Sequence, residues 1–415
     1  MMNHFFLLIF SVFFLQSSFA NINHQMLSIE HQIGHSLVLR LREILSKAET
    51  IAVALSIQAK HINQIEQLKL MTPELLDYRQ DYSFAGGGIW FEPFIIDHSQ
   101  QRFSFFWAKN PQEKLNMISD YNGPGPSYNE KQFLSDSAYK KDFLKSPGYQ
   151  NEEWYIIAKY LPTKWKGFWS QSYTDPYSFE PMVTYSSPIK DHQQQFLGVA
   201  TVDIKLHFLF ELCRKWGELI GGKVFILDRN NKVISFFDQD QSRVMIQDES
   251  KNTVRDEYLH FKDVVQSIKD YTPILKELVR YDQKILMNHS SDKNLAKTID
   301  ESTYQMNEEE SQRLVNYYHH DDNPVGDLRG GQLVGQVTLK LDPYIKNSST
   351  AYIYIVPQTF WKVVVIFPQH LLNLVKNKPN QNLPYVMMIF MIFSTFLSIL
   401  GWILWQKKEI KKRKR

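Results

Sequence analysis

The chain has 415 residues, 43% of them apolar and 14% aromatic, with 47 Lys plus Arg against 44 Asp plus Glu and a single cysteine. That composition excludes a disordered chain, a collagen-like chain and a disulfide scaffold, because the apolar content suffices for a core and a lone Cys213 has no intrachain partner. Lys407 to Arg415 carry seven basic residues and one Glu, so the small positive charge belongs to the tail, and the net-acidic remainder lacks the electrostatic basis for nucleic-acid binding.

In chain order, Phe5 to Leu15 is an unbroken apolar run followed by Ser18-Phe19-Ala20. Too short to span a bilayer, it predicts a signal peptide over residues 1–20. From Met26 to Leu55 apolar residues recur every three or four positions, interrupted only by Gly34, which predicts one long spine helix over 21–71, ended at Met71-Thr72-Pro73. Such length suits a helix that spans more than one domain or meets a second copy, so a homodimer through this helix is expected. His24, His31 and His35 fall on one face of it but lack a carboxylate companion, and read as solvated.

Beyond Pro73 the chain turns aromatic and rich in turn residues. Short β-prone runs follow at 89–96, 103–108, 155–160, 182–185 and 199–206, giving a mixed unit over 72–206. A helix from His207 to Leu219 leads to a second group of strands, 224–227, 233–237, 333–341, 352–356 and 361–367, with the turn Asp228-Arg229-Asn230-Asn231 and a polar stretch of helical patches and loops over 239–331. This makes a second α+β unit over 207–370. A linker over 371–383 then precedes 21 largely apolar residues within 384–405, which predict a transmembrane helix, with a basic cytoplasmic tail over 406–415. A single-pass inner-membrane protein with its body outside the cytoplasm is the resulting expectation.

The segments Gly86-Gly87-Gly88-Ile89-Trp90-Phe91-Glu92-Pro93, Phe105-Phe106-Trp107, Asp120-Tyr121-Asn122, Asn151-Glu152-Glu153-Trp154-Tyr155, the run from Trp169 to Tyr177, and Gly198-Val199-Ala200-Thr201-Val202-Asp203 resemble the membrane-distal unit of double Cache (dCache, PAS-like) sensor domains. Val224 to Asp228 and Pro357 to Trp361 resemble the proximal unit. The resemblance implies an α+β fold, namely a long helix and two PAS-like units with antiparallel sheets. It also implies a small-molecule sensor of bacterial receptors, found ahead of diguanylate cyclase and other transducer modules, with its ligand in the distal unit. No cofactor, metal or enzymatic activity is implied. No transducer module follows residue 405, so a separate signalling protein is the expected partner.

Trp154, Tyr155, Tyr177 and Asp203 match the pattern of amino-acid-binding members, whereas the position of the carboxylate-holding Arg is Glu152 and that of the amine-holding Asp is Phe179, followed by Glu180. Glu152 would repel a ligand carboxylate by about 4 kcal/mol at 4 Å and an effective dielectric of 20. The residues themselves, flat rings at Trp154, Tyr155, Trp169, Tyr173 and Tyr177 beside carboxylates at Glu152, Glu153, Asp175, Glu180 and Asp203, suit an amine or other cationic metabolite. Core packing of about half of these aromatics, with Asp175-Pro176 shaping a turn, is the competing reading. Two other function classes stay open: a ligand-free adhesin, and a membrane-tethered hydrolase working through paired carboxylates. Nucleotide, zinc and serine-hydrolase motifs are missing from the sequence.

Overall fold

The computed structural model describes residues 29–61, 65–77, 82–96, 102–110, 112–118, 148–175, 178, 180–248, 253–288, 292–303, 305–319 and 331–371. Two antiparallel sheets share one long helix. Helix α1 (Ile29–Gln58) buries Val38, Leu41, Leu45, Ala48 and Ala52 in a core that also takes in Val183, Val202, Ile353 and Val364, so one apolar stripe serves both sheets. Gly34 has a use here: a Cβ at that position would lie 2.2 Å from the Tyr354 ring, which packs against the helix backbone. His31 and His35 stand edge-on to Tyr352 and Tyr354 rather than in open solvent.

The spine is broken earlier than its periodicity predicts. α1 ends at Gln58 and a second helix, α2 (Ile65–Leu76), carries Pro73 inside it. The Thr72 hydroxyl donates to the Leu68 carbonyl at 2.7 Å, one turn before it, where the ladder runs into Pro73.

The first sheet contains β1 (Phe84–Phe91), β2 (Ser104–Lys109), β3 (Leu115–Ile118), β4 (Phe168–Trp169), β5 (Tyr173–Thr174), β6 (Pro181–Lys190) and β7 (Phe196–Lys205), in the order β3-β2-β1-β7-β6-β4 with β5 also on β6. Helix α3 (Glu153–Tyr160) packs against β6 and β7. The predicted strand at 155–160 is thus helical. Glu153 to Ala158 are all buried, and a helix enclosed on every side shows no amphipathic period by which to recognise it.

Helix α4 (Leu206–Leu219) leads to a second sheet of β8 (Lys223–Leu227), β9 (Val233–Ser235), β12 (Gln332–Leu339), β13 (Ser349–Ile355) and β14 (Lys362–Pro368), in the order β12-β13-β14-β8-β9. Between β9 and β12 lie a hairpin, β10 (Arg243–Asp248) with β11 (Thr253–Tyr258), and helices α5 (Phe261–Ser267), α6 (Thr272–Asn288), α7 (Lys293–Ser302) and α8 (Glu308–His319). These cross over to the first sheet. Tyr281, Ile285, Ile299, Leu314 and Tyr318 share a core with Trp154, Ile157 and Phe168, and β11 touches β5.

Among the described residues no helix is long and apolar enough to cross a membrane. This corrects the expected fold class, α+β ending in a transmembrane helix, and with it the single-pass inner-membrane placement. The longest described helix spends its outer face on Arg40, Glu43 and Lys47, which no hydrocarbon core accepts cheaply. The segment 384–405 on which the expectation rested lies outside the described residues, as do the predicted signal peptide, His24 and the basic tail.

Candidate functional site

Period-two alternation divides the candidate residues between the two faces of the first sheet. Asp203 pairs in register with Gly86 and with Thr184, while Val202 pairs with Gly87 and with Tyr185. Adjacent residues of a strand point oppositely. One face therefore presents Asp203, Thr201, Thr184, Ser186 and Trp90, and the other presents Val202, Tyr185 and Trp169, whose partner is Tyr185.

On the Asp203 face a chain of hydroxyls has formed. Thr184 Oγ1 lies 2.7 Å from the Tyr173 hydroxyl and donates to Asp203 Oδ1 at 2.7 Å. Asp203 is buried, and among the described residues no cation pairs with it. Its carboxyl is pushed up to about 7, first by burial and then by the Asp175 charge, against the opposing bond from Thr184. Burial, with Asp203 and Asp175 behind it, raises the Tyr173 phenol well above its usual range. Asp175 accepts from the backbone N–H of Ser178 at 2.6 Å and from its hydroxyl at 2.7 Å, a turn that fixes the carboxylate. Glu180 is also raised, chiefly by burial. Tyr173, Asp175 and Asp203 are thus brought together, whereas Tyr177 lies outside the described residues.

Trp154 and Tyr155 sit above the same face as packed rings. Trp154 lies 4.9 Å from Trp90, whose indole N–H donates to Thr201 Oγ1 at 2.9 Å, and Tyr155 lies 5.4 Å from Tyr149. For these two rings the core reading of the sequence describes their surroundings. Trp169 is on the opposite face: its N–H donates to Glu49 Oε1 of α1 at 2.8 Å, and its ring meets Tyr185 and Trp361.

The glutamates at the start of α3 turn toward the second sheet's helices. Glu152 Oε2 accepts from Gln305 Nε2 at 2.9 Å, and the Glu153 N–H donates to Gln305 Oε1 at 2.6 Å. Glu153 forms a buried ion pair with Arg229, which also donates to the Trp169 carbonyl at 2.7 Å. Sequence reasoning did not select Thr184, Arg229 or Gln305. Thr184 had a readable signal, since Thr184 and Ser186 alternate with Val183 and Tyr185 in a strand that is otherwise apolar. Arg229 and Gln305 had none, for a turn residue and a loop amide ordinarily face water.

Among the described residues no group of three or more His, Cys, Asp or Glu side chains is placed to hold a metal ion. Residues 74–211 match the family described as methyl-accepting chemotaxis protein-like, first PDC sensor domain. The match covers less than half of the chain and makes that region similar to a sensor domain. Among solved structures the chain is similar to the extracellular domain of mmHK1S-Z3, which carries a histidine-kinase name, at 14% identity and a TM-score of 0.47, covering 84% of this chain and 97% of that one. It is also similar to the ligand-binding domain of the Campylobacter jejuni chemoreceptor Tlp3 in complex with L-valine, at 11% identity and a TM-score of 0.38, covering 83% and 92%. No curated protein matches the chain.

Proposed function

We propose that the chain is a small-molecule sensor that takes an amine or other cationic metabolite on the Asp203 face of its first unit, residues 72–206, and relays occupancy through a second unit, residues 207–370, to a separate signalling protein. The observation that carries this reading is the buried Asp203 carboxylate without a cation of its own among the described residues, flanked by Asp175 and the Tyr173 hydroxyl. A bound ammonium group would supply the missing charge and accept the geometry already set by Thr184, which holds one oxygen of Asp203. The aromatic ring of Tyr173 suits the apolar part of such a ligand. Glu152, close enough to act on Tyr173, disfavours a ligand carboxylate.

Calorimetric titration of the full chain with primary amines, α-amino acids and simple carboxylates tests the proposal. Heat from amines that disappears in Asp203→Asn is the expected result. Binding of α-amino acids alone would overturn the cationic specificity.

A further inference from the structure

The turn Asp228-Arg229-Asn230-Asn231 would ordinarily be solvated, yet Asp228 and Arg229 are fully buried and Asn230 nearly so. It is wedged between the two sheets. Arg229 reaches the first sheet's side through Glu153 and the Trp169 carbonyl, while its own carbonyl accepts from Lys362 Nζ of β14 at 2.5 Å. Lys362 in turn lies 3.3 Å from Asp282 of α6. Gln305 repeats the crossing in parallel, bonding the start of α3 with its side chain and accepting from Gln171 Nε2 with its carbonyl at 3.0 Å.

The same seam is poorly satisfied. Asp228 Oδ2, Arg229 Nε, the Asn230 side-chain amide, Asn316 Oδ1 and the hydroxyls of Tyr317 and Tyr318 are buried without a hydrogen-bond partner among the described residues. Each would gain bonds if water entered. A buried ion pair is itself close to balanced between desolvation and attraction. Apolar contacts oppose opening: Trp169 meets Trp361 at 5.3 Å, and Tyr317 stacks on Phe360 at 4.2 Å. Packed rings that close a seam and stranded polar groups that favour hydrating it are the ingredients of two discrete arrangements of small free-energy difference.

We propose that Arg229 is the coupling residue of a two-state junction: the dry arrangement, with Arg229 locked on Glu153 and the Trp169 carbonyl, exchanges with a hydrated one in which the lock is open. Occupancy of the Asp203 face shifts that balance, because the segment Trp169 to Asp175 carries both the lock's acceptor carbonyl and the site residues Tyr173 and Asp175. The ligand's part in this rests on the sensor reading. The junction itself does not.

Hydrogen exchange of the full chain without any ligand tests it, so failure here leaves the sensor reading standing, and a failed titration leaves the junction standing. Glu153→Gln is expected to speed exchange of residues 228–232 at least tenfold, and Arg229→Met to speed exchange of α3 by a similar factor, since coupling between two sites is reciprocal. β6, β7 and β13 are accelerated less than these two segments. The pair Arg229→Met with Glu153→Leu restores both segments to within about threefold of wild type, as apolar replacement of a buried pair is tolerated. Effects confined to the substituted element, or acceleration spread evenly over all sheets, would overturn the proposal. Should Arg229→Met fail to fold, Arg229→Lys, which keeps the charge but loses the planar fork, is read in the same way.

Discussion

Two buried carboxylates 50 positions apart in the chain, Asp203 and Glu153, divide the molecule into a site and a joint. Glu153 has its counterion built in, Arg229 from the other sheet, and both side chains are sealed from solvent. Asp203 is equally buried but among the described residues is met by a hydroxyl and faces another carboxylate, so burial drives its proton affinity up instead of fixing its charge. The difference teaches how to tell scaffold from receptor within one acidic cluster. A carboxylate whose partner is part of the fold holds elements together, whereas one left without a partner is available to something that arrives.

The largest expected effect breaks the joint. Arg229→Met leaves Glu153 charged and enclosed, and should lower the unfolding free energy by about 3–5 kcal/mol in denaturant titration. Adding Glu153→Leu should recover most of that loss. If the single and double variants were equally unstable, the pair would not be the cause.

Asp203 should behave in the opposite sense. Its folded value near 7 lies above the ordinary carboxylate value of 3.8, so the folded state holds the proton more tightly than the unfolded chain does. Stability should therefore fall as pH rises from about 4 through 7 and level off above. Asp203→Asn removes that penalty and should stabilise the chain by on the order of 4 kcal/mol at pH 8, with little change at pH 4, as read by thermal melts at the two pH values. A loss of stability at pH 8 would contradict the assignment of Asp203 as an uncompensated charge.

Smaller effects sharpen the contrast along the rest of the seam. Trp169→Phe removes the N–H that Glu49 accepts and part of a fully buried ring, for an expected loss of about 1–2 kcal/mol of stability and no more than the modest shift in ligand affinity that a looser junction transmits. Affinity that collapsed with Trp169→Phe would return that ring to the site. Gln305→Ala should cost about 1 kcal/mol, since neighbouring contacts of α3 with α7 persist.

What the sequence made legible follows from periodicity. The apolar stripe of α1 and the strands β6, β7, β13 and β14 were readable because each buries a regular set of side chains. α3 was misread because it is enclosed on all sides, and the hairpin Arg243–Asp248 with Thr253–Tyr258 was passed over because Arg255, Asp256 and Glu257 mask its strand character. Among the candidate site residues, Asp175 and Tyr173 were named from residue type and Asp203 also from the resemblance, and the structure brings the three together. Trp169 was placed with them although the sheet separates it, since a two-residue period along β4 shows its face only once the register with Tyr185 is known. Glu152 and Glu153 were read as ligand contacts because nothing local announces that Gln305 and Arg229, 153 and 76 positions away, meet them.

The central claim is that the first unit binds a cation through the ionised form of Asp203, and its most direct test is the affinity of the full chain for a primary alkylamine between pH 5 and 8. Because the amine stays protonated throughout and Asp203 must lose its proton to pair with it, the association constant should rise about tenfold per pH unit up to about 7 and then flatten, and Asp203→Asn should abolish both the binding and the slope. Affinity independent of pH and unchanged in Asp203→Asn would contradict the account.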